Sequence, residues 1–403
     1  MKRDILLITN YWHFEFEKKS SRYRSMAEVL SKSGFDVEVV SSSFRHQTKT
    51  QRNLNEIKKI ESRYKTTLLK EPGYKKNISL IRILSHHMFA QEIVKYLRSR
   101  KKPDLILVSV PSLSVGSAVT KFATRNNIKV VIDIQDLWPE AFKMAINTPI
   151  LSDILFAPMM IQANNIYARA DKIMAVSETY VNRALAQNKK SDDGLAVYIG
   201  TDLNLVAEAI SGKVMEKPEN EFWIGYVGAL GHSYDIGLII DALCLLKERG
   251  FSNLVFHIMG EGVLLNELVC YAKEKQVNCV FHGFVEYGDM MSILQVCDVA
   301  VNPIVGSSVS SIINKVSDYA AAGIPVINTQ NSVEYQKLID EYECGINCRS
   351  GDVNAVAEAI RKLSEDASAR ERMGRNSRKL AEEKFDRKKT YQKIIDVIVG
   401  ATQ

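Results

Sequence analysis

"FWIGYVGALGHSYDIGLIIDAL", Phe222 to Leu243, sets a short run of aromatic and β-branched residues before a glycine-bounded turn and then a run with apolar residues at helical spacing. The first run is apolar at nearly every position, which suits a strand buried on both faces, and the third suits a helix laid on that sheet. Strand, tight turn and helix in this order are half of a βαβ unit.

Outward from this unit the same alternation runs almost end to end. The strand candidates "DILLIT", "FDVEVVS", "DLILVSV", "KVVIDI", "KIMAVS" and "LAVYIG" precede it, and "NLVFHIMG", "NCVFHGF", "DVAVNPI" and "PVINT" follow. Helical stretches such as "SRYRSMAEVLSKSG" and "LSVGSAVTKFATRN" lie between them. The pattern predicts α/β architecture, with parallel sheets covered by helices on both faces. At 403 residues the chain exceeds one ordinary core. The polar, aperiodic "SGKVMEKPENE", Ser211 to Glu221, marks a linker. Two doubly wound Rossmann-like domains are therefore expected, residues 1–210 and 211–385, facing each other across a cleft where the carboxyl ends of their strands hold ligand.

Apolar content of 46% and charged content of 25% describe a folded protein. The apolar run Ile5 to Ile8 is too short for a signal peptide's centre, and no stretch reaches the ~18 apolar residues of a membrane span, so the expected location is the cytoplasm. Six cysteines between Cys244 and Cys348 fall mostly in apolar segments, as free buried thiols do, and Cys344 and Cys348 lack the partner pair a metal site needs. The net charge of +6 is uneven: Arg45 to Lys102 holds sixteen Lys or Arg against four Glu. Such a block is either a set of solvated helix faces or, with its interleaved apolar residues, a match for an anionic membrane surface or a phosphate-bearing acceptor. No nucleic-acid recognition motif accompanies it. "TNYWHFEFEKKSSRYRS", after the first strand, has no glycine, which argues against a dinucleotide fold, and the Lys-Ser/Thr phosphate loop is missing.

In the opening unit Gly228 and Gly231 permit a tight turn and close approach of backbone to a ligand, and the following helix offers free amides to an anion. His232, Ser233 and Tyr234 stand together at the expected helix start, each able to donate a hydrogen bond. A second cluster is "NKVSDYAAAGIPVINT", Asn314 to Thr329. The serines of the preceding "VGSSVSS" are expected to cap its helix, and the helical wheel sets Asn314, Lys315 and Asp318 on one side, opposite Ile312, Val316, Tyr319 and Ala320. Lys315 and Asp318 are a surface ion pair or, in the functional reading, a cation for phosphate oxygens and a carboxylate for the hydroxyls of a ribose. Two phosphate-type turns point to a nucleotide diphosphate. In "DIQDLWPEAF", Asp133 and Asp136 end a buried strand and should face the cleft, with Asp136 the better candidate to orient or deprotonate an acceptor hydroxyl. Glu140 complements a helix start behind Pro139. Arg22 and Arg24 are an acceptor-phosphate pair or a solvated helix face.

With "SSRYRSMAEVLSKSGFDVEVVSS", "DIQDLWPEAF", "YVGALGHSYDI", "MGEG" and "NKVSDYAAAGIPVINT" in this order, the chain resembles the family-4 glycosyltransferases of the GT-B fold, in particular their capsule and O-antigen branch, over nearly its whole length. The resemblance implies a retaining transferase, without a bound metal or other cofactor, that moves a sugar from a nucleotide diphosphate to a hydroxyl of a growing surface glycan. It implies a UDP-linked N-acetylated hexose as donor, and an acceptor linked to polyprenyl diphosphate at the inner face of the plasma membrane. Gly228, Leu230, Gly231, His232, Ser233, Tyr234, Asn314 and Lys315 would line the donor diphosphate. Asp318 would hold the ribose, and Gly260, Glu261 and Phe284 the nucleoside. Asp133, Asp136, Trp138 and Glu140, with Arg22 and Arg24, would face the acceptor, while Lys315 takes up the leaving group's charge. The tail 386–403 would be a helix crossing back to the first domain. Where relatives carry two Glu separated by seven residues, this chain has Ser310 and Asp318. That departure motivates an alternative, a non-catalytic nucleotide-binding subunit of a glycan-assembly complex; a nucleotide-sugar epimerase of the same architecture is another.

Overall fold

The computed structural model describes residues 2–17, 21–53, 62–77, 79–143, 149–211, 215–305 and 312–402. The chain forms two compact units, Met1–Tyr198 with Thr390–Gln403, and Ile199–Lys389.

The first unit is built on a seven-stranded, all-parallel sheet: β1 (Asp4–Thr9), β2 (Asp36–Ser42), β3 (Lys65–Leu69), β4 (Leu105–Val110), β5 (Lys129–Ile134), β6 (Lys172–Ala175) and β7 (Gly194–Ala196), ordered β3-β2-β1-β4-β5-β6-β7. Ile5 to Ile8 and Leu105 to Val108 are fully buried, as expected for central strands covered on both faces. The covering helices include α1 (Arg22–Lys32), α2 (Leu80–Ser99), α3 (Leu113–Arg125) and α4 (Pro149–Arg169). Ser21, Ser79 and Ser112 cap the first three, each side chain accepting a backbone amide two or three residues inside the helix.

The second unit repeats the plan with six parallel strands: β8 (Phe222–Val227), β9 (Leu254–Met259), β10 (Cys279–Gly283), β11 (Val299–Asn302), β12 (Val326–Asn328) and β13 (Gly345–Asn347), ordered β10-β9-β8-β11-β12-β13. Its helices include α5 (Leu203–Ile210), α6 (Ile236–Glu248), α7 (Tyr287–Val296), α8 (Asn314–Ala322) and α9 (Ala367–Leu380). Gly323, in the left-handed region at φ 72°, ends α8 by turning its amide back to Ala320 and Tyr319. All six cysteines are free; Cys270 is exposed, against expectation.

The boundaries differ from the composition-based ones. The first unit stops at Tyr198, not at residue 210, because α5 packs on α7 and the segment Gly200–Thr201 runs beside Phe385–Asp386. Gly200, at φ 60°, has no room for a side chain: a Cβ there would stand 2.2 Å from Phe385 O. The last helix, α10 (Gln392–Thr402), sets Ile394, Ile395 and Ile398 into the core of the first unit beside Tyr23 and Met26.

Asp133 and Arg22 do not face a ligand. Both are buried, and they close on each other in a two-pronged ion pair, Arg22 Nη2 donating to Asp133 Oδ1 at 2.8 Å and Nε to Oδ2 at 3.0 Å. The remaining nitrogen donates to Val197 O at 2.7 Å, and the guanidinium lies 5.4 Å over the Tyr391 ring. The pair ties α1, β5, the end of β7 and the returning C-terminal segment. Removing one member strands a buried charge, so Asp133→Ala is expected to lower unfolding free energy by about 3–5 kcal/mol. Arg22→Met with Asp133→Leu together should cost much less. Equal losses in the single and double variants by urea denaturation would show that the pair is not the reason.

Candidate functional site

In the second unit, the turns after β8 and β9 are pressed backbone to backbone. Gly228 stands at φ 143° and Gly260 at φ 155°, and a Cβ on Gly260 would lie 1.8 Å from Gly228 O. The Gly228 and Leu230 amides donate to Met259 O and Glu261 O at 3.0 and 2.9 Å. Gly231, by contrast, has open space where a side chain would stand, so its backbone is accessible. Tyr319 fixes the end of β8 from α8: its hydroxyl accepts from the Val227 amide at 3.0 Å and donates to Val301 O at 3.2 Å.

Against this double turn lies Lys315. Its side chain is only 8% exposed, and its ammonium sits 4.1 Å from the centroid of the Tyr226 ring and 3.8 Å from that of Tyr234, with no hydrogen-bond partner among the described residues. A Cβ on Gly228 would stand 3.0 Å from Nζ. Burial pushes Lys315 well below the ordinary lysine range. The two ring faces act the other way, favouring the cation by up to about 2 kcal/mol where water is excluded.

Lys315 and Asp318 therefore do not share a solvated side, as the helical wheel implied, and no ion pair joins them. Lys315 turns into the double turn, while half-buried Asp318 accepts from the Tyr287 hydroxyl at 2.9 Å, which is itself bonded to Thr201 at 3.0 Å. Burial raises the Asp318 carboxyl to about 6. Asn314 is exposed at the start of α8. The N-cap of this helix is Ile313, with no side-chain cap. Ser310 and the serines expected to cap lie outside the described residues.

A second expectation fails at α6. His232 and Ser233 are exposed in the turn, before the helix, and Asp235 caps it by accepting the Leu238 amide at 3.0 Å, so an acid already meets the end expected to receive an anion. Tyr234 packs inward on Lys315 and pairs with Ile304. Glu261 accepts the Phe284 amide at 3.4 Å, and the Phe284 ring is 72% exposed beside the end of β10.

Residues that sequence reasoning did not single out hold the strand ends together. Asn302, Asn328 and Asn347 are the last residues of β11, β12 and β13, in register. Asn302 Nδ2 donates to Asn328 Oδ1 and Asn328 Nδ2 to Asn347 Oδ1, each at 2.9 Å. Asparagine at the same place in "VAVN", "VIN" and "GIN" was the available signal.

In the first unit, the acceptor candidates separate. Asp136 lines a cavity of about 270 Å³ with Trp138; burial raises its carboxyl, and it accepts from Trp138 Nε1 at 3.2 Å. Glu140 is taken by Arg183, Nε to Oε1 at 2.6 Å. Arg24 is half-buried and pairs within its own helix with Glu28 at 3.8 Å, with Nη1 buried and unpartnered among the described residues. Asp133 and Arg22 are the structural pair described above.

Residues 209–380 match the family model described as glycosyl transferases group 1. The chain is similar to the capsular polysaccharide biosynthesis glycosyltransferase CapM of Staphylococcus aureus, 22% identical over 386 residues, 92% of this chain and 91% of that protein. Among solved structures it is similar to Anabaena Alr3699/HepE in complex with UDP, at 14% identity and TM-score 0.70, covering 99% of this chain and 100% of that one. It also resembles sucrose-phosphate synthase from Thermosynechococcus elongatus, at 16% identity and TM-score 0.71, covering 99% of both. The chain thus has the GT-B fold of two Rossmann-like units, and across residues 209–380 it carries the sequence pattern of the group 1 glycosyl transferases.

Proposed function

We propose that the chain is a retaining glycosyltransferase of capsule or related surface-glycan assembly, taking a UDP-linked N-acetylated hexose as donor and a lipid-linked glycan as acceptor. The observation that carries this reading is the buried, unpartnered ammonium of Lys315 beside the accessible backbone of Gly231. A diphosphate is the group that such an arrangement lacks. The UDP bound to HepE and the CapM likeness support the donor class and the pathway class respectively.

In this reading the diphosphate lies over Gly228–Gly231 and Lys315, the ribose hydroxyls donate to Asp318, and the base covers Phe284. Negative charge builds on the β-phosphate as the sugar–oxygen bond breaks, and Lys315 with the turn amides stabilises it, so no resident metal is required. Asp136 orients the acceptor hydroxyl. Attachment to an anionic membrane surface draws support from the first unit. α2 exposes Leu80, Ile81, Ile83 and Leu84, and α4 exposes Ile154, Leu155 and Ile161. Towards the opposite end of α2, a 590 Å³ groove between α2 and α3 is lined by Arg98, Arg100, Lys102, Lys121 and Arg125. No helix among the described residues is long and apolar enough to cross a membrane.

The purified chain, given UDP-sugars and a lipid-linked acceptor, should release UDP in step with product, and should do so in EDTA. Lys315→Met is expected to cut turnover by about 10²–10³. The same variant should raise the melting temperature of the empty protein, because it removes a buried polar group worth about 1–3 kcal/mol of unmet desolvation. Near-normal turnover in Lys315→Met, or metal-dependent turnover in the wild type, would refute this mechanism. Tight UDP binding without any transfer would favour the non-catalytic subunit instead.

The ribose contact has its own signature. Ionised Asp318 can accept from both ribose hydroxyls, and protonation removes the charge and turns one oxygen into a donor, so UDP affinity should fall as pH drops through about 6. In Asp318→Asn that fall should vanish along with part of the affinity. A wild-type affinity flat from pH 5 to 7.5 by calorimetry would remove Asp318 from the nucleotide.

A further inference from the structure

The Asp136 cavity contains more than Asp136. Arg82, in the first turn of α2, lines the same space, as do Asn10 and Tyr11 from the end of β1. Its Nη2 donates to Tyr11 Oη at 2.9 Å and its Nη1 to Asn77 O at 2.7 Å, both uncharged partners. Nε is buried without a partner, and among the described residues no carboxylate lies within 4 Å of the guanidinium. Its guanidinium carbon lies 4.6 Å from the centroid of the Trp138 ring and 5.4 Å from that of Tyr74. Asn10 is 4% exposed, and neither end of its carboxamide completes a hydrogen bond.

We propose that this cavity is an acceptor subsite that reads charge, taking one sugar ring that carries a carboxylate or a phosphate, with the anion on Arg82 and ring hydroxyls on Asn10 and Asp136. A planar guanidinium stacked on aromatic rings, with donors to spare, is suited to a two-oxygen anion. Nearby His46 does not compete for that role, since burial, with Lys49 and Arg82 next to it, pushes its imidazole down to about 4 and leaves it uncharged at neutral pH. Asp136 only accepts when ionised, so it suits hydroxyls and repels a bare anion, while Asn10 both donates and accepts. A neutral sugar leaves Arg82 with no directly bonded anion, only the longer-range field of Asp136 and of the buried Glu71 carboxyl, and a free phosphate meets Asp136. A sugar with an anionic substituent satisfies both walls, and at about 270 Å³ there is room for one ring and not for a chain of them.

The inference deepens the transferase reading by naming the acceptor class, but its test involves no transfer. The full-length chain is titrated with glucose, glucuronate, glucose 1-phosphate and inorganic phosphate under saturation-transfer NMR. At least one anionic sugar should bind about tenfold more tightly than glucose, the scale of one charge-assisted hydrogen bond; whichever of the two wins identifies carboxylate or phosphate. Arg82→Gln should bring that sugar within about twofold of glucose, and Arg82→Lys should retain part of the preference. If Arg82→Gln does not fold, Asn10→Asp serves, since a carboxylate added to the wall should weaken the anionic sugar at least fivefold more than it weakens glucose, about 1 kcal/mol of added repulsion. Equal binding of glucose, no binding by any sugar, a preference that survives Arg82→Gln, or inorganic phosphate binding as well as the sugars, an adventitious ion only, would each overturn the proposal. A chain that transfers to neutral acceptors alone would sink this inference and leave the transferase reading standing; a chain that binds the anionic sugar and never transfers would do the reverse.

Discussion

An ammonium withdrawn from water and given two aromatic faces, but no anion, is the constraint around which the second unit is arranged. Lys315 cannot be where it is unless the turn after β8 gives way, and that turn gives way because Gly228 carries no side chain at the point where Nζ approaches. The turn in turn rests on Gly260, whose own missing Cβ lets the β9 loop touch Gly228 O. Tyr319 holds the assembly from α8 by bonding both Val227 and Val301. Each of these features is costly alone: glycines raise the entropy of the unfolded chain, and a buried cation without a counter-charge destabilises the empty protein. Together they leave a preorganised surface where burial disfavours the lysine's charge and an anion alongside would restore it, the role proposed above for the diphosphate.

The architecture was legible because central parallel strands must be apolar on both faces, and few other structures leave that mark. Eleven of the thirteen sheet strands described fall on runs recognised from the sequence. Two of the four edge strands escape the rule. Lys65–Leu69 is half-exposed and embedded in the cationic block, where its alternation is hidden, and Gly345–Asn347 has only three residues. The unit boundary was misplaced for a related reason. A polar stretch such as Ser211 to Glu221 reports where the chain meets solvent, whereas the boundary is decided by which core α5 covers, a long-range contact with α7 that composition does not record.

At the site, residue types were legible and their surroundings were not. Lys315, Asp318 and the glycine turns announced themselves, yet a helical wheel knows only angles about one axis. It could not show that Tyr226 and Tyr234, the second expected to donate a hydrogen bond at the start of α6, would draw the lysine inward while Tyr287 and Thr201 took the aspartate the other way. Asp133 and Asp136 show the same limit. Asp133 lies inside β5, where its partner Arg22 comes from more than a hundred residues away, and two charges that each looked functional proved to be one structural pair. Asp136 lies beyond the strand end, clear of the sheet, and keeps its place on a cavity.

The contrast between the two units' strand ends has a physical reason. Buried polar positions at the end of a sheet must be hydrogen-bonded, and either charged or neutral residues can meet that need. In the first unit Asp133 meets it with a charge and requires Arg22 to cancel it. In the second, Asn302, Asn328 and Asn347 meet it with amides passed from strand to strand. Ionised carboxylates, which only accept, could not pass these bonds from strand to strand or donate to Gln330 O and Gln336 O. Amides, which both donate and accept, secure the strand ends of the second unit without adding a charge that would need its own buried partner.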